Sequence, residues 1–236
     1  MTEVRRPASQ AVGIGSTVVT VRVSSTNRSQ DFLIHDSFLV KSSDFFAAAL
    51  RGEWRESIER VIPLPDLSPD HFNIYFHWLY SGKIYSAPDG YDKKPVQPQV
   101  ETEFKGEMSS LVRCWTMGQR LMDTKFMDTV MDALIHLVED APSFINAKAD
   151  VAVIYKETLP GSMLRRFIIE QIVQQCTEEF IDHYGDVELP REFLQELLHG
   201  LAAVRGKNRD NKPQWLKNPC AFHEHKREGK ACYKDT

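Results

Sequence analysis

The densest group of reactive side chains is Cys220-x-x-His223-x-His225, followed seven residues later by Cys232. It gathers two of the chain's four cysteines and two of its eight histidines. Thiolate sulfur and imidazole nitrogen are zinc's preferred donors, and four of them in a tetrahedron make a closed, structural site. An extended segment would point His223 and His225 to one side. Gly229 permits the chain to turn back and bring Cys232 in. The spacing matches no standard zinc finger, so two readings stand. One is a structural zinc on which folding of the segment depends. The other is a polar tail in which the cysteines are incidental.

No set of residues with catalytic spacing accompanies this cluster. The sequence has no Gly-x-Ser-x-Gly elbow, no phosphate-binding P-loop and no His-Glu-x-x-His. Gly13-x-Gly15 precedes a strand rather than following one, so it cradles no phosphate. Glu178 and Glu179 are adjacent on a helical segment, where carboxylates face solvent rather than work as an acid/base pair. No catalytic residue is assigned, and the expectation is a non-enzyme.

Composition narrows the partners. The 236 residues hold 29 Lys and Arg against 33 Asp and Glu, a formal charge of -4. Phosphate binding relies on clustered positive charge, so nucleic acid is not the expected partner. Lys226, Arg227, Lys230 and Lys234 make a modest basic run that reads as solvated. Met1 to Gln10 has no apolar stretch of the secretory kind, and no run is long enough to span a membrane. With isolated cysteines rather than a disulfide framework, the expected setting is intracellular, cytoplasmic or nuclear. The sequon at Asn27 is then idle.

Periodicity supplies the elements. Residues 1–13 read as a disordered lead. Thr17 to Val23 alternates valine with polar residues and reads as a strand, paired as a hairpin with Asp31 to His35. A short helix, Asp44 to Leu50, is capped by Ser42 or Ser43 and stopped by Gly52. Arg60 to Leu64 is a third strand. Ser68-Pro69-Asp70 opens a helix with cap, proline and acid in favourable order. That helix carries Phe72, Tyr75, Phe76 and Leu79 and ends near Gly82. Residues 86–106, with three prolines and several charges, read as an exposed loop. Helical spacing resumes from about Glu107, with Leu111, Trp115 and Met122 on one face. Phe126, Val130, Leu134 and Val138 form a core stripe. After Pro142-Ser143, further helices are expected at about 148–158, 161–181 and 190–205. From Gly206 the chain reads as polar and loosely ordered apart from the Cys/His cluster.

Taken in order, several stretches resemble the BTB/POZ family. They are Phe32-Leu33-Ile34-His35 through Ser43-Asp44-Phe45-Phe46, then Arg60 to Asp66, then Phe72 through Leu79-Tyr80-Ser81-Gly82, then Leu121-x-Asp123-x-x-Phe126 and Asp132-Ala133-Leu134. The region from Ile154 to Leu194 is similar to the C-terminal half of fungal BTB proteins. The resemblance implies an α+β fold: a small mixed sheet flanked by helices over residues 14–140. An α-helical extension, 141–206, and a Cys/His-bearing tail, 207–236, follow. It also gives His35 a structural place at the strand-to-helix turn.

The resemblance further implies a protein-interaction module. Family members dock cullin scaffolds through a hydrophobic-x-Glu motif, and Trp54-Arg55-Glu56 stands at that place. An exposed Trp54 would anchor a partner, with Glu56 beside it; the alternative is a Trp54 folded back on the domain. Phe45, Phe46 and Tyr80 are the further partner-facing candidates. Homodimers of the family use the first strand and helices, here Val18 to Val23 and Phe38 to Phe46. Thr17 and Asp36 replace the charges of the corepressor-binding groove, so that groove is not expected. The function expected is a substrate adaptor for a cullin-type ubiquitin ligase. The alternative is a self-associating scaffold or transcription-related regulator with a zinc-stabilised tail.

Overall fold

A computed structural model describes residues 13–51, 58–88, 98–140, 147–175, 188–204 and 213–235; the side chains of 98–104, 147–150 and 175 are not described. All but the last residue of the lead expected at 1–13, the motif Trp54-Arg55-Glu56, the stop expected at Gly52 and the boundary expected at Pro142-Ser143 lie outside these residues.

Strands β1 (Val18–Ser24) and β2 (Ser29–His35) form the expected antiparallel hairpin, with Val19 opposite Ile34 and Val21 opposite Phe32. Strand β3 (Val61–Pro65) joins the other edge of β1 in parallel, giving a three-stranded mixed sheet in the order β2-β1-β3. Pro63 and Pro65 cannot donate to a ladder, which suits β3 to an edge. Alternation sends Val19, Val21, Val23, Phe32, Ile34, Ile62 and Leu64 to the covered face. The other face keeps Leu33 and the Arg22–Asp31 ion pair in solvent.

The hairpin runs straight into α1 (Asp36–Ser42), a helix the periodicity reading did not place. Its cap position, His35, makes no side-chain capping bond, and Leu39 is its one buried side chain, so it leaves almost no local signal. The expected helix follows as α2 (Asp44–Ala49), where the Ser43 hydroxyl accepts from the Phe46 amide. Helix α3 (Pro69–Ser81) has the Ser68 cap, proline in its first turn, and Gly82 closing it at φ 67. Only glycine holds that left-handed conformation without strain, so Gly82→Ala should lower stability by about 1 kcal/mol in thermal unfolding. An unchanged midpoint would contradict this assignment.

Helix α4 (Pro98–Arg120) begins well before Glu107. Residues 98–106 are therefore helix, not exposed loop. Proline is tolerated at a first helical position, and the glutamates and lysine that follow are good helix formers even without an apolar stripe. Helix α5 (Thr124–Asp140) carries the core stripe as expected, with Phe126, Val130, Leu134 and Val138 buried. Phe126 sits edge-on to Tyr75 at 4.8 Å and beside Trp78 at 5.0 Å, locking α5 to α3.

Beyond lie α6 (Ala147–Glu157), α7 (Met163–Gln175) and α8 (Arg191–Val204). The buried Arg165 guanidinium joins them by donating to the Thr158 hydroxyl and the Tyr155 carbonyl at the end of α6. The expectation of a loosely ordered tail is corrected. Residues 213–235 form α9 (Gln214–Lys217), a 3-10 turn (Pro219–Phe222), α10 (Glu224–Glu228) and a last 3-10 turn (Tyr233–Asp235). Trp215 and Phe222 are buried against Phe167 of α7. These two aromatic side chains anchor the first part of a polar segment whose remaining residues give no hydrophobic pattern. Core packing runs unbroken from Val19 in the sheet to Phe222 in the tail.

Candidate metal centre and interaction surface

The chain path brings the four tail donors together. Cys220 lies in the 3-10 turn, and His223 follows in extended conformation at φ -87, ψ 141. His225 falls in the first turn of α10, so the two imidazoles converge to 5.2 Å between centroids. Gly229 ends α10 at φ 66 and turns the chain back so that Cys232 rejoins the group. One donor atom from each of Cys220, His223, His225 and Cys232 lies within 4.8 Å of the others. A zinc tetrahedron with bonds of about 2.0–2.3 Å spaces its ligands by roughly 3.3–3.8 Å. The Cys220 Sγ to His225 Nε2 separation, 3.2 Å, is already of that size.

The other side of each ring decides which nitrogen faces the centre. His225 Nδ1 lies 2.5 Å from Asp128 Oδ2, and His223 Nε2 lies 3.0 Å from Asp132 Oδ1. Each carboxylate accepts a ring N–H, which turns the lone pair of His225 Nε2 toward Cys220 Sγ and leaves that of His223 Nδ1 without a donor. His223 Nδ1 is buried and has no hydrogen-bond partner among the described residues. An unsatisfied buried nitrogen is costly unless something occupies its lone pair, and a cation does so. Carboxylates behind metal-binding histidines are a recurring arrangement that orients the rings and raises their basicity.

Neither Asp128 nor Asp132 is among the site residues expected from the sequence, where Asp132 enters only through the Asp132-Ala133-Leu134 stretch. They stand four residues apart on α5 and so project from the same face. Both are buried on a helix whose other flank is core. Two acids four residues apart, set among the apolar positions of α5, were the available signal, because buried carboxylates need partners. Burial raises the Asp128 carboxyl above its ordinary range against the opposing bond from His225. Burial also acts to raise Asp132, but the bonds from His223, Lys234 and Tyr233 outweigh it and hold the carboxyl at about 2. Burial, with Cys232 beside it, pushes the Cys220 thiol up.

Further polar contacts hold this end of the tail on α5. The Glu224 amide donates to Asp128 Oδ1 at 2.7 Å, and Tyr233 and Lys234 reach Asp132. The buried Glu224 carboxylate accepts from the Met163 amide at the start of α7 and pairs with Arg227. Were zinc held by these four donors, exchanging Asp128 for Asn should weaken its affinity about 10- to 100-fold while leaving the ligand count at four. Competition against a chelating zinc indicator measures this. An affinity equal to wild type would show that Asp128 does not orient His225.

The partner-facing candidates divide. Phe46 is fully buried beneath α2 and offers nothing to a partner; its type suited either role. Phe45 is half-buried and packs edge-on to Phe46. Tyr80 is 40% exposed, but its hydroxyl meets the His35 amide at 3.1 Å and His35 Nδ1 at 2.9 Å. Tyr80 and His35 thus hold the turn from β2 into α1. Phe45 lines a groove of about 470 Å³ with Ala48, Ala49, Ile62, Pro63 and Met122. This groove lies between α2 and β3, the two elements that Trp54-Arg55-Glu56 connects in sequence. Met122, 56% exposed and at φ 52, forms one side of it. No described helix is long and apolar enough to cross a membrane.

No curated protein matches this sequence. The mixed sheet, the helices that cover it and the groove beside α2 are the setting in which one family comparison is positive. Residues 16–101 match the family model described as BTB/POZ domain, and this part of the chain is a BTB/POZ domain, a protein-interaction module, with a helical region after it.

Proposed function

We propose that the chain is a substrate adaptor for a cullin-type ubiquitin ligase, with its tail fixed by one structural zinc ion. The BTB unit in this reading extends through α4 and α5 to residue 140. The observation that carries the docking half is the largely apolar groove between α2 and β3, the two elements that the Trp54-Arg55-Glu56 stretch joins in sequence. An aromatic anchor on the segment that joins the groove's two walls in sequence would combine large contact area with few rotamers to freeze. Helices α6 to α8 and the tail then supply the surface that receives a substrate. The tagged full chain should co-purify with a cullin, and Trp54→Ala with Glu56→Ala should reduce recovery at least tenfold. A wild-type chain that recovers no cullin sinks the adaptor reading.

The zinc half rests on the orphaned His223 Nδ1 within a four-donor cluster. Cys220, His223, His225 and Cys232 hold the ion, and Asp128 and Asp132 orient the two histidines. When bound, the ion supplies cross-linking, not chemistry: four protein ligands leave no open position for a substrate.

A self-associating scaffold is the second reading. It is favoured by Leu33, 67% exposed on the solvent face of the sheet, with Val18 beside it. Light scattering showing a dimer that dissociates on Leu33→Asp, together with no cullin recovery, would select it.

A further inference from the structure

Resting on the zinc reading above, we infer that the centre is an oxidant-sensitive latch. Oxidation of Cys220 and Cys232 by a peroxide joins the two sulfurs, expels the ion and frees the polar end of the tail from α5.

The three described cysteines differ in the respects that govern such chemistry. Cys114 is fully buried and its thiol is pushed up to about 12 by burial, so it is withheld from oxidants. Cys220 and Cys232 are both half-buried at the surface of the tail, with sulfurs inside the 4.8 Å cluster. A bound zinc ion keeps its cysteine ligands as thiolates, the nucleophilic form. Two thiolates side by side at an accessible edge are placed for sequential attack and resolution.

The step balances. One thiolate attacks the O–O bond of hydrogen peroxide, takes one oxygen as a sulfenic acid and releases hydroxide. The second sulfur attacks the first and releases the other hydroxide. Two protons convert these into two waters. The sulfurs lose two electrons to peroxide and form one S–S bond. Zinc leaves as the divalent ion, because a disulfide sulfur is a poor ligand and two neutral histidines hold it weakly.

What the loss of the ion releases follows from how the tail is held. Up to Phe222 the anchoring is apolar: Trp215 and Phe222 pack on Phe167, and the Arg166 guanidinium lies 4.5 Å from the Phe222 ring centre. From His223 onward no described residue belongs to the hydrophobic core. That stretch is held by hydrogen bonds and ion pairs to Asp128, Asp132, Thr124, Asp44 and the start of α7. The Lys230 and Lys234 pairs are solvated and contribute little each, whereas those of His223, Glu224 and His225 are buried, and water replaces them only when the segment lifts as a unit. The new disulfide closes the 220–232 loop on itself but gives the histidines no replacement partner. Residues 223–235 then detach, while 213–222 stay in place.

The test uses the full chain, purified with a reductant and loaded with zinc. Metal content is measured before any oxidant is added. Less than about 0.2 zinc per chain would overturn the zinc reading itself, and this inference with it. Hydrogen peroxide is then titrated in the presence of a zinc indicator, and peptides are mapped by mass. The expected result is one zinc released per chain and a Cys220–Cys232 disulfide. Hydrogen exchange should quicken at 223–235 but not at 213–222, and dithiothreitol with added zinc should reverse all three changes. Zinc that remains bound at the peroxide dose oxidising free cysteine overturns the latch. So does release without a Cys220–Cys232 bond, or release with no change in exchange at 223–235.

Discussion

His225→Ala is expected to abolish stoichiometric zinc binding and to lower stability by about 4 kcal/mol when wild type is held at a zinc level about 1,000 times its dissociation constant. For a chain of this length that corresponds to roughly 8–16 °C in the unfolding midpoint. Loss of the ion accounts for that figure, and the Asp128 carboxylate, which loses the ring it contacts, adds a further fall. Chelation of wild type isolates the first part, because it removes the ion and leaves His225 in place. His225→Cys keeps a zinc ligand and should recover much of the affinity. His199→Ala alters an exposed histidine on α8 and should change neither metal content nor midpoint. If chelated and zinc-loaded wild type melt together, the tail is held without metal and the cluster has no structural ion.

The second large effect is expected at Asp123, in the turn between α4 and α5. Its carboxylate accepts from the Ser42 hydroxyl at 2.5 Å, the Tyr75 hydroxyl at 2.9 Å and the Phe126 amide at 3.0 Å. One buried side chain thereby joins α1, α3 and the start of α5. Asp123→Ala strands three donors, two of them on buried residues, at about 1–3 kcal/mol for each buried group. A loss of roughly 4 kcal/mol is expected in chemical denaturation. A loss below 1 kcal/mol would show that water replaces the carboxylate.

Asp123 also sets a pH dependence. Burial raises its pKa from 3.8 to about 6, and the bonds from Ser42, Phe126 and Tyr75 offset only part of that. The folded chain therefore holds this proton more tightly than the unfolded chain does. The associated stability is fully present below pH 3.8 and is lost as pH rises towards 6, beyond which the contribution is flat. Asp123→Asn keeps an acceptor for the Phe126 amide and cannot ionise. The difference in stability between Asp123→Asn and wild type should move in the mutant's favour between pH 4 and 6, then level off. A difference that stays constant over that window would contradict the raised pKa.

Much of the fold was legible because its signals are local. Valine alternation marked β1, the Ser68-Pro69-Asp70 start and Gly82 stop bracketed α3, and four-residue apolar steps marked α5. The signals failed where local chemistry was silent or ambiguous. Helix α1 has no capping side chain and one buried residue. Helix α4 opens on residues whose composition resembles that of a loop.

The four candidate donors were legible for the same reason as the strands: all lie within one short stretch, and their types suit a single ion. The carboxylates behind them were not. Asp132 lies 91 residues from His223, and Asp128 lies 97 from His225. Only packing of the tail on α5, anchored by Trp215 and Phe222, brings those pairs within hydrogen-bond distance. Residue types and spacing thus marked an α+β interaction domain and a group of four donors of the kind that could hold a metal ion. The tertiary structure decided that Phe46 is core, that Tyr80 holds His35, and which nitrogen of each histidine is free. Those outcomes depend on contacts between distant segments, and a linear pattern encodes none of them.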